Sequence, residues 1–431
     1  MNKKLLYIET YGCQMNFSDS EIVASVLAKE YEMTNQASVA DLILINTCSI
    51  RENAEERVFK RLTELNSLKK KNNQLQIGLI GCMAERWKEK LFTKANVDLI
   101  VGPDAYRDLP SILKRENPAN INVLLSEIET YEDITPVRYD SNGISAFISI
   151  MRGCNNYCSY CVVPYTRGRE RSRNPQTITA EAQQLFNNGY REITLLGQNV
   201  NSYSYDQINF ARLMQSVAEI NPLLRIRFAT SHPKDLSDEL IEVMASYPNI
   251  CKSIHLPLQS GSDAVLKKMN RKYTSQGYLD RITCIRKFMP DCTISTDIIA
   301  GFCGETQAEH QDTLDLMRKV GFDYAYMFKY SAREGTAACN SMQDNVPEAV
   351  KSKRLEEIIA LQQELSLKSN QNDIGKSFEV LIEGKSKRSN DYLVGRNSQN
   401  KVIIFPKGEH EKGEYVNVKI SSCTSATLFG K

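Results

Sequence analysis

A chain of 431 residues, 42% apolar and 25% charged, has the balance of an ordinary globular protein and is long enough for two or three domains with cores of their own. Its net charge of +2 is too small to mark a nucleic-acid binder, so any RNA contact must come from local patches, and its twelve cysteines suit metal ligands better than a disulfide framework. No apolar run reaches membrane-spanning length, and Met1-Asn2-Lys3-Lys4 leads straight into a strand-like segment, so the expected location is the cytoplasm with no membrane contact.

Four strand-like runs open the chain: Leu5 to Glu9, Leu42 to Asn46, Ile77 to Ile80 and Asp98 to Val101. Polar, helix-period segments such as 18–30 and 51–71 lie between them, and this βαβα alternation predicts a parallel sheet. Cys13, Cys48 and Cys82 fall just past the first three strands, spaced by 35 and 34 residues, about one βαβ unit each. Parallel strands point the same way, so the three thiols should meet at one sheet edge, where open α/β folds place their ligands. A single buried cysteine there would be unremarkable. Three in matching positions read as a three-thiolate site.

Residues 103–145 carry Pro103, Pro110, Pro118, Pro136 and Gly143 among polar residues and read as a linker into a second domain. Alternation then resumes, with strands near 146–151, 191–196, 225–230, 252–257, 293–299 and 324–330. Helical segments lie near 177–189, 208–220, 236–247, 263–288 and 305–320. Six βα repeats fit a partial TIM-like (β/α)6 barrel with function at the C-terminal strand ends. The segments after the strands are accordingly polar or Gly-rich: MRGC, LGQNVN, TSHP, PLQSGSD, AGFCGET and SAREGT.

The first of these loops contains Cys154, Cys158 and Cys161, spaced C-x3-C-x2-C. Three thiolates so close can share one soft metal centre, and iron-sulfur clusters are built from such thiolates. A four-iron cluster normally takes four Cys ligands, so three leave one iron open for chemistry. A zinc knuckle would need a fourth Cys or His nearby, and the chain passes Ala180 without one. Three structural thiols would require neither this spacing nor Gly153 before it.

Pro347 opens a long helix to about Asn370, with Val350, Leu355, Ile358, Ile359 and Leu365 on a stripe expected to pack on the barrel. From 376 the chain turns to five short β runs, FEVLIEG, DYLVGR, KVIIFP, EYVNVKI and SATLFG, which suggest a small OB-like barrel. Residues 371–431 hold ten Lys/Arg against seven Asp/Glu. Cys251, Cys284, Cys292, Cys339 and Cys423 stand alone, without ligand spacing, and read as buried or free thiols, and Cys303 is given no catalytic role.

The C-x3-C-x2-C loop, with Tyr160 before the last cysteine, resembles the radical S-adenosylmethionine superfamily. The longer CVVPYTRGRERSR resembles a narrower group, the methylthiotransferases. TYGCQMN, NTCSIRENAEERV, GCNNYCSYCVVPYTRG, LLGQNVNSY and HLPLQSGSD are similar to the branch that acts on N6-dimethylallyladenosine in tRNA, and the motifs together span residues 7–336. AGFCGET departs from the pattern, with Cys303 where the family commonly has Pro; that turn is less fixed in φ.

This resemblance implies an N-terminal methylthiotransferase domain over 1–120, a radical S-adenosylmethionine domain over 140–370 and an RNA-binding TRAM domain over 371–431. It implies two 4Fe-4S clusters, an auxiliary one on Cys13, Cys48 and Cys82 and a radical-generating one on Cys154, Cys158 and Cys161. The reaction implied is methylthiolation at C2 of N6-dimethylallyladenosine in tRNA. Two S-adenosylmethionine molecules would be used, one as methyl donor and one as source of a 5′-deoxyadenosyl radical. An electron donor such as flavodoxin or ferredoxin and a monomeric enzyme are expected. The related branches, which act on N6-threonylcarbamoyladenosine in tRNA or on a ribosomal-protein aspartate, remain alternatives. So does an iron-sulfur RNA-binding protein that senses redox state.

Further site residues follow from the strand-end loops. Gly197, Gln198 and Asn199 resemble the loop that holds the cofactor's amino group, or form a plain βα turn. Ser231, Gln259 and Arg333 sit at other strand ends, for the carboxylate, ribose or substrate, and Tyr160 completes the cofactor-binding set. His232 and His255 read as hydrogen-bonded structural residues. Arg167, Arg169, Arg171 and Arg173 leave the cluster loop together, and four guanidiniums beside a mouth suit RNA phosphates. Lys385, Lys387 and Arg388 are the RNA-binding residues expected in the C-terminal barrel. The target adenosine should be splayed out of its stack, with apolar contacts around its prenyl group.

Overall fold

A computed structural model describes residues 3–48, 52–114, 120–139 and 142–431. Met1, Asn2, Pro118 and the Ser49–Arg51 part of the second cysteine motif lie outside them. The N-terminal region holds a six-stranded sheet of β1 (Lys4–Thr10), β2 (Tyr31–Met33), β3 (Leu42–Thr47), β4 (Gln76–Gly81), β5 (Leu99–Val101) and β6 (Asn120–Asn122). Its order is β2-β1-β3-β4-β5-β6 and every pair is parallel. The central β3 is buried along its whole length because both sheet faces are covered. Helices α1 (Gln14–Leu27), α2 (Glu52–Asn66) and α3 (Cys82–Trp87) follow β1, β3 and β4. Leu42 and Leu44 pack on one face with Ile22 and Val23; Ile43 and Ile45 pack on the other with Val58 and Leu62.

The linker expected over 103–145 is corrected by the structure. Tyr106–Asp108 and Leu109–Ile112 are helical turns, residues 120–122 add β6, and Tyr131 is only 2% exposed. Tyr131 stacks on Tyr106 with ring centroids 5.7 Å apart and donates its hydroxyl to the Pro103 carbonyl at 3.0 Å. The prolines punctuate elements too short to show periodicity; Pro110 sits in a first helical turn, where its missing N–H costs nothing.

All six expected barrel strands form. β7 (Ser145–Ser149) lies beside Glu192–Leu196, which pairs in turn with Arg225–Ala229, all parallel. Ser253–His255, Thr293–Ala300 and Tyr324–Lys329 make a second parallel trio. A single parallel bridge runs from Ile226 to Ile250, just ahead of the second trio's first strand, and among the described residues the last strand does not pair back to β7. The barrel is open on that side. One correction applies to its helices: the expected 263–288 segment is two helices, Asp263–Lys268 and Ser275–Phe288. Asn270 takes the left-handed conformation at φ 56°, and Thr274 starts the second helix by accepting from Gly277 N at 3.1 Å.

The long helix Glu348–Gln371 packs on the barrel and leads into a closed five-stranded barrel spanning 377–430. That barrel docks on the N-terminal ends of the (β/α)6 strands. Arg225 donates to the Arg396 carbonyl at 2.7 Å, Arg227 to Asn397 O at 2.8 Å and Thr293 to Gln399 O at 2.7 Å. The cysteine loop follows the C-terminal end of β7, so the two lie at opposite ends of the barrel. Among the described residues no helix is long and apolar enough to cross a membrane.

Candidate metal centres and the barrel mouth

Sheet register brings the first three cysteines together. Thr10 pairs with Asn46 and Thr47 with Gly81, so Cys13, Cys48 and Cys82 leave neighbouring strands at one edge. Cys13 caps α1 and Cys82 opens α3. Gly12, at φ 125°, lets the loops close: a Cβ there would lie 2.4 Å from Cys48 Cβ. The Cys48 thiol donates to Cys13 and, with the Arg167 charge nearby, lowers the Cys13 thiol to about 6 in spite of desolvation. Burial pushes Cys82 the other way, only partly offset by Arg167.

Among the described residues no three His, Cys, Asp or Glu side chains converge tightly enough to hold one metal ion. A cubane cluster asks for something else. Each of its ligands binds a different iron at a separate corner, so neighbouring thiols on one rim fit it without meeting at a point.

The arginines after the cluster loop require a correction. Arg167, Arg171 and Arg173 are 2%, 7% and 6% exposed and cannot reach phosphates; only Arg169 stays at the surface. Arg167 donates to the Cys82 thiol at 3.1 Å, to Asn16 at 3.1 Å and to Asp19 at 2.8 Å. Arg152 takes the other oxygen of Asp19 at 2.8 Å. Arg171 grips Asp104 at 2.9 and 3.0 Å, and Arg173 pairs with Glu181. Arg152, Arg167 and Arg171 bind the N-terminal region to the barrel through Asp19 and Asp104, while Arg173 pairs within the barrel, because buried carboxylates claim them before solvent can.

Around the second trio, Cys154 and Cys158 are each 9% exposed. Asn156 donates to the Cys154 sulfur at 3.5 Å and the buried Arg271 to the Cys158 sulfur at 3.3 Å. Desolvation, reinforced by Glu170 and Cys158 at Cys154 and by Cys158 at Cys161, lifts Cys154 to about 11 and Cys161 to about 12. Metal binding must therefore displace protons from this loop. The loop's shape is tightly specified: Gly153 sits at φ 80°, where a Cβ would come within 1.9 Å of the Arg169 carbonyl. Tyr157, Thr230 and Gln259, all at barrel strand ends, also take positive φ. Such strain concentrates where function holds a backbone in place.

Beside Cys161 opens a cavity of about 890 Å³ whose lining includes Tyr160, Gln259, Arg333, His255 and Asp297. Gly197, Gln198, Asn199 and Ser231 are not in that lining. Gly197 packs on Met151, and Asn199 donates to Asp235 at 2.7 Å, which is structural work. Yet Gln198 Oε1, Ser231 Oγ and His232 Nε2 are buried without partners, as expected where a polar ligand with amino and carboxylate groups would supply them. Burial lowers His232 to about 2, so its ring is neutral. His255 is hydrogen-bonded to Ser295 at 3.1 Å and sits 3.5 Å from Asp297, as a structural histidine would be, yet it faces the cavity.

Sequence reasoning missed Arg271, Asp19 and Asp104. The string MNRKY carries no sign that Arg271 meets Cys158, more than a hundred residues away. Asp19 left a weak trace, a carboxylate between Ser18 and Ser20 on a helix, and all three prove to be buried.

An open six-stranded α/β barrel with C-x3-C-x2-C thiols at its mouth defines a radical S-adenosylmethionine enzyme, a class that implies a 4Fe-4S cluster and S-adenosylmethionine. The Radical SAM superfamily pattern matches residues 148–317, the TRAM domain pattern 371–431, and the pattern of Uncharacterized protein family UPF0004 residues 5–102. The fold is similar to that of the radical S-adenosylmethionine methyltransferase TsrM from Kitasatospora setae, with TM-score 0.58 at 12% identity over 75% of this chain and 73% of that one. Proteins named tRNA-2-methylthio-N(6)-dimethylallyladenosine synthase from Bacteroides thetaiotaomicron and Porphyromonas gingivalis are each 54% identical over all of this chain, covering 96% and 95% of their own length. The chain belongs to the tRNA-2-methylthio-N(6)-dimethylallyladenosine synthase family.

Proposed function

We propose that this protein methylthiolates C2 of N6-dimethylallyladenosine in tRNA, at the adenosine adjacent to the anticodon. Two molecules of S-adenosylmethionine are consumed, and sulfur is delivered at an auxiliary 4Fe-4S cluster on Cys13, Cys48 and Cys82. The observation that carries this reading is the short helix Val163–Arg167, which starts two residues after Cys161 and ends on the arginine that touches Cys82. The five-residue helix rises about 7.5 Å, so Cys161 is linked to Cys82 through little more than one helical turn and the Arg167 side chain.

The clusters and S-adenosylmethionine, when bound, supply the one-electron cleavage and the sulfur that convert an inert ring C–H into C–S, a bond no side-chain base could break by deprotonation. The chain's own residues hold and exclude. Cys154, Cys158 and Cys161 present three thiolates and leave one coordination position open. Gln198, Ser231 and His232 offer unpaired polar atoms to the methionine portion of the cosubstrate. Gln259 and Arg333 line the cavity with Tyr160. Arg169, Lys385, Lys387 and Arg388 are exposed and hold RNA phosphates. The enzyme works in the cytoplasm as a monomer, with an electron donor such as flavodoxin or ferredoxin.

Anaerobically prepared protein should contain eight irons per chain. After reduction it should form 5′-deoxyadenosine and add one methylthio mass to prenylated tRNA. Modification of threonylcarbamoylated tRNA alone would move it to the neighbouring branch, and RNA binding without 5′-deoxyadenosine would make it a redox-sensing RNA-binding protein.

A further inference from the structure

The surface outside the Cys154–Cys158 loop carries two exposed tyrosines and three exposed lysines. Tyr157 and Tyr165 are 42% and 48% exposed, with ring centroids 6.1 Å apart in an edge-to-face pair. The segment 267–272 is hydrogen-bonded directly to this loop: Asn270 donates to the Tyr157 carbonyl at 2.9 Å, Ser159 N to Met269 O at 3.0 Å and Ser159 Oγ to Lys268 O at 2.9 Å. That segment presents Lys267, Lys268 and Lys272, all exposed. Lys272 bonds the Asn270 amide oxygen and Lys268 the Gly304 carbonyl, so neither cation is neutralised by those contacts. Lys267 and Lys268 end a helix, where cations are favoured, but Lys272 lies beyond it and that reason does not cover it.

This patch lies outside the cavity, whose lining takes in Tyr160, Cys161 and Val162 but neither Tyr157 nor these lysines. It is close to the metal ligands all the same: Tyr157 precedes Cys158, and Arg271, between Asn270 and Lys272, touches the Cys158 sulfur. A partner seated here would reach a cluster on Cys154, Cys158 and Cys161 without entering the cavity. We propose that Lys267, Lys268, Lys272, Tyr157 and Tyr165 form the docking face for an acidic one-electron carrier protein. The step rests on the proposed function. One electron leaves the reduced carrier, which is oxidised by one, and enters the cluster, which is reduced by one; no bond forms and no proton moves.

Charges around such a face act through steering and salt dependence. The test uses reconstituted holoenzyme and an acidic flavodoxin. In Lys267→Glu/Lys268→Glu/Lys272→Glu, the dissociation constant for oxidised flavodoxin by calorimetry should rise about tenfold or more at low salt, and the difference should shrink at high salt. 5′-Deoxyadenosine formation driven by reduced flavodoxin should fall correspondingly, while formation driven by dithionite stays near that of the unsubstituted enzyme. Unchanged flavodoxin affinity, or an equal loss with both reductants, would overturn the docking face. A raised KM for tRNA with unchanged flavodoxin binding would assign the patch to RNA instead. Absence of 5′-deoxyadenosine from the unsubstituted enzyme with dithionite would instead overturn the functional reading, and the docking face with it.

Discussion

Arg167 holds its Nε 3.1 Å from the sulfur of Cys82, across 85 residues of sequence and between two structural units. The same side chain pairs with Asp19, so one buried guanidinium serves a cysteine sulfur and a structural carboxylate. Arg167→Met should leave Asp19 with the Arg152 cation and the Tyr106 hydroxyl and cost about 3 kcal/mol, because a buried charge loses an ionic partner. Urea unfolding would measure the loss. Iron should fall mainly at the N-terminal site, and equal loss from both sites would contradict the assignment.

The two thiol trios should separate functionally. Cys82→Ala is expected to keep forming 5′-deoxyadenosine while losing the methylthiolated nucleoside, whereas Cys158→Ala should lose both. Mass spectrometry of nucleosides and of the cleaved cosubstrate reads the two products in one assay. If Cys82→Ala still thiolates tRNA at the ordinary rate, sulfur does not come from the N-terminal site.

Gly153 and Gly189 make a paired experiment. Both have positive φ, but a Cβ at Gly153 would strike the Arg169 carbonyl, while nothing lies within 4 Å of one at Gly189. Gly189→Ala should cost about 1–2 kcal/mol from backbone conformation alone. Gly153→Ala should cost about 2–3 kcal/mol or more and distort the cysteine loop, so that iron content falls as well. Thermal unfolding and iron assays of the two variants would show the contrast.

Glu85 gives the N-terminal region a pH dependence. Burial raises its carboxyl to about 7, with Lys88 at 3.6 Å only partly offsetting the cost of charge. The folded chain keeps a proton that the unfolded chain releases near the ordinary carboxylate value. Stability is therefore full below about 4.5 and declines as pH rises to about 7. Glu85→Gln should remove the decline and be more stable than the parent at pH 8 by about 2 kcal/mol, after allowance for solvent screening. Urea midpoints of metal-free protein at pH 4.5, 6 and 8 test this; a parallel pH profile in both proteins would rule it out.

Strand positions were legible because period-2 and continuous apolar runs report burial locally. Residues 103–139 were not, since Tyr106 and Tyr131 acquire their places only by stacking on each other and closing over α1. The helix break at Asn270 was missed for a similar reason: its φ of 56° follows from the segment's hydrogen bonds to the cysteine loop, which no local periodicity reveals.

The sequence alone determined the cysteine spacing on the barrel loop, the recurrence of a cysteine after three successive parallel strands and the alternation that builds each layer, since these depend on near neighbours. Tertiary structure decided where the charges went. Arg167, Arg171 and Arg173 look like a phosphate-binding stripe until Asp19, Asp104 and Glu181, contributed by other elements, desolvate and pair them. A guanidinium's role depends on which carboxylate reaches it in space, and chain order does not state that.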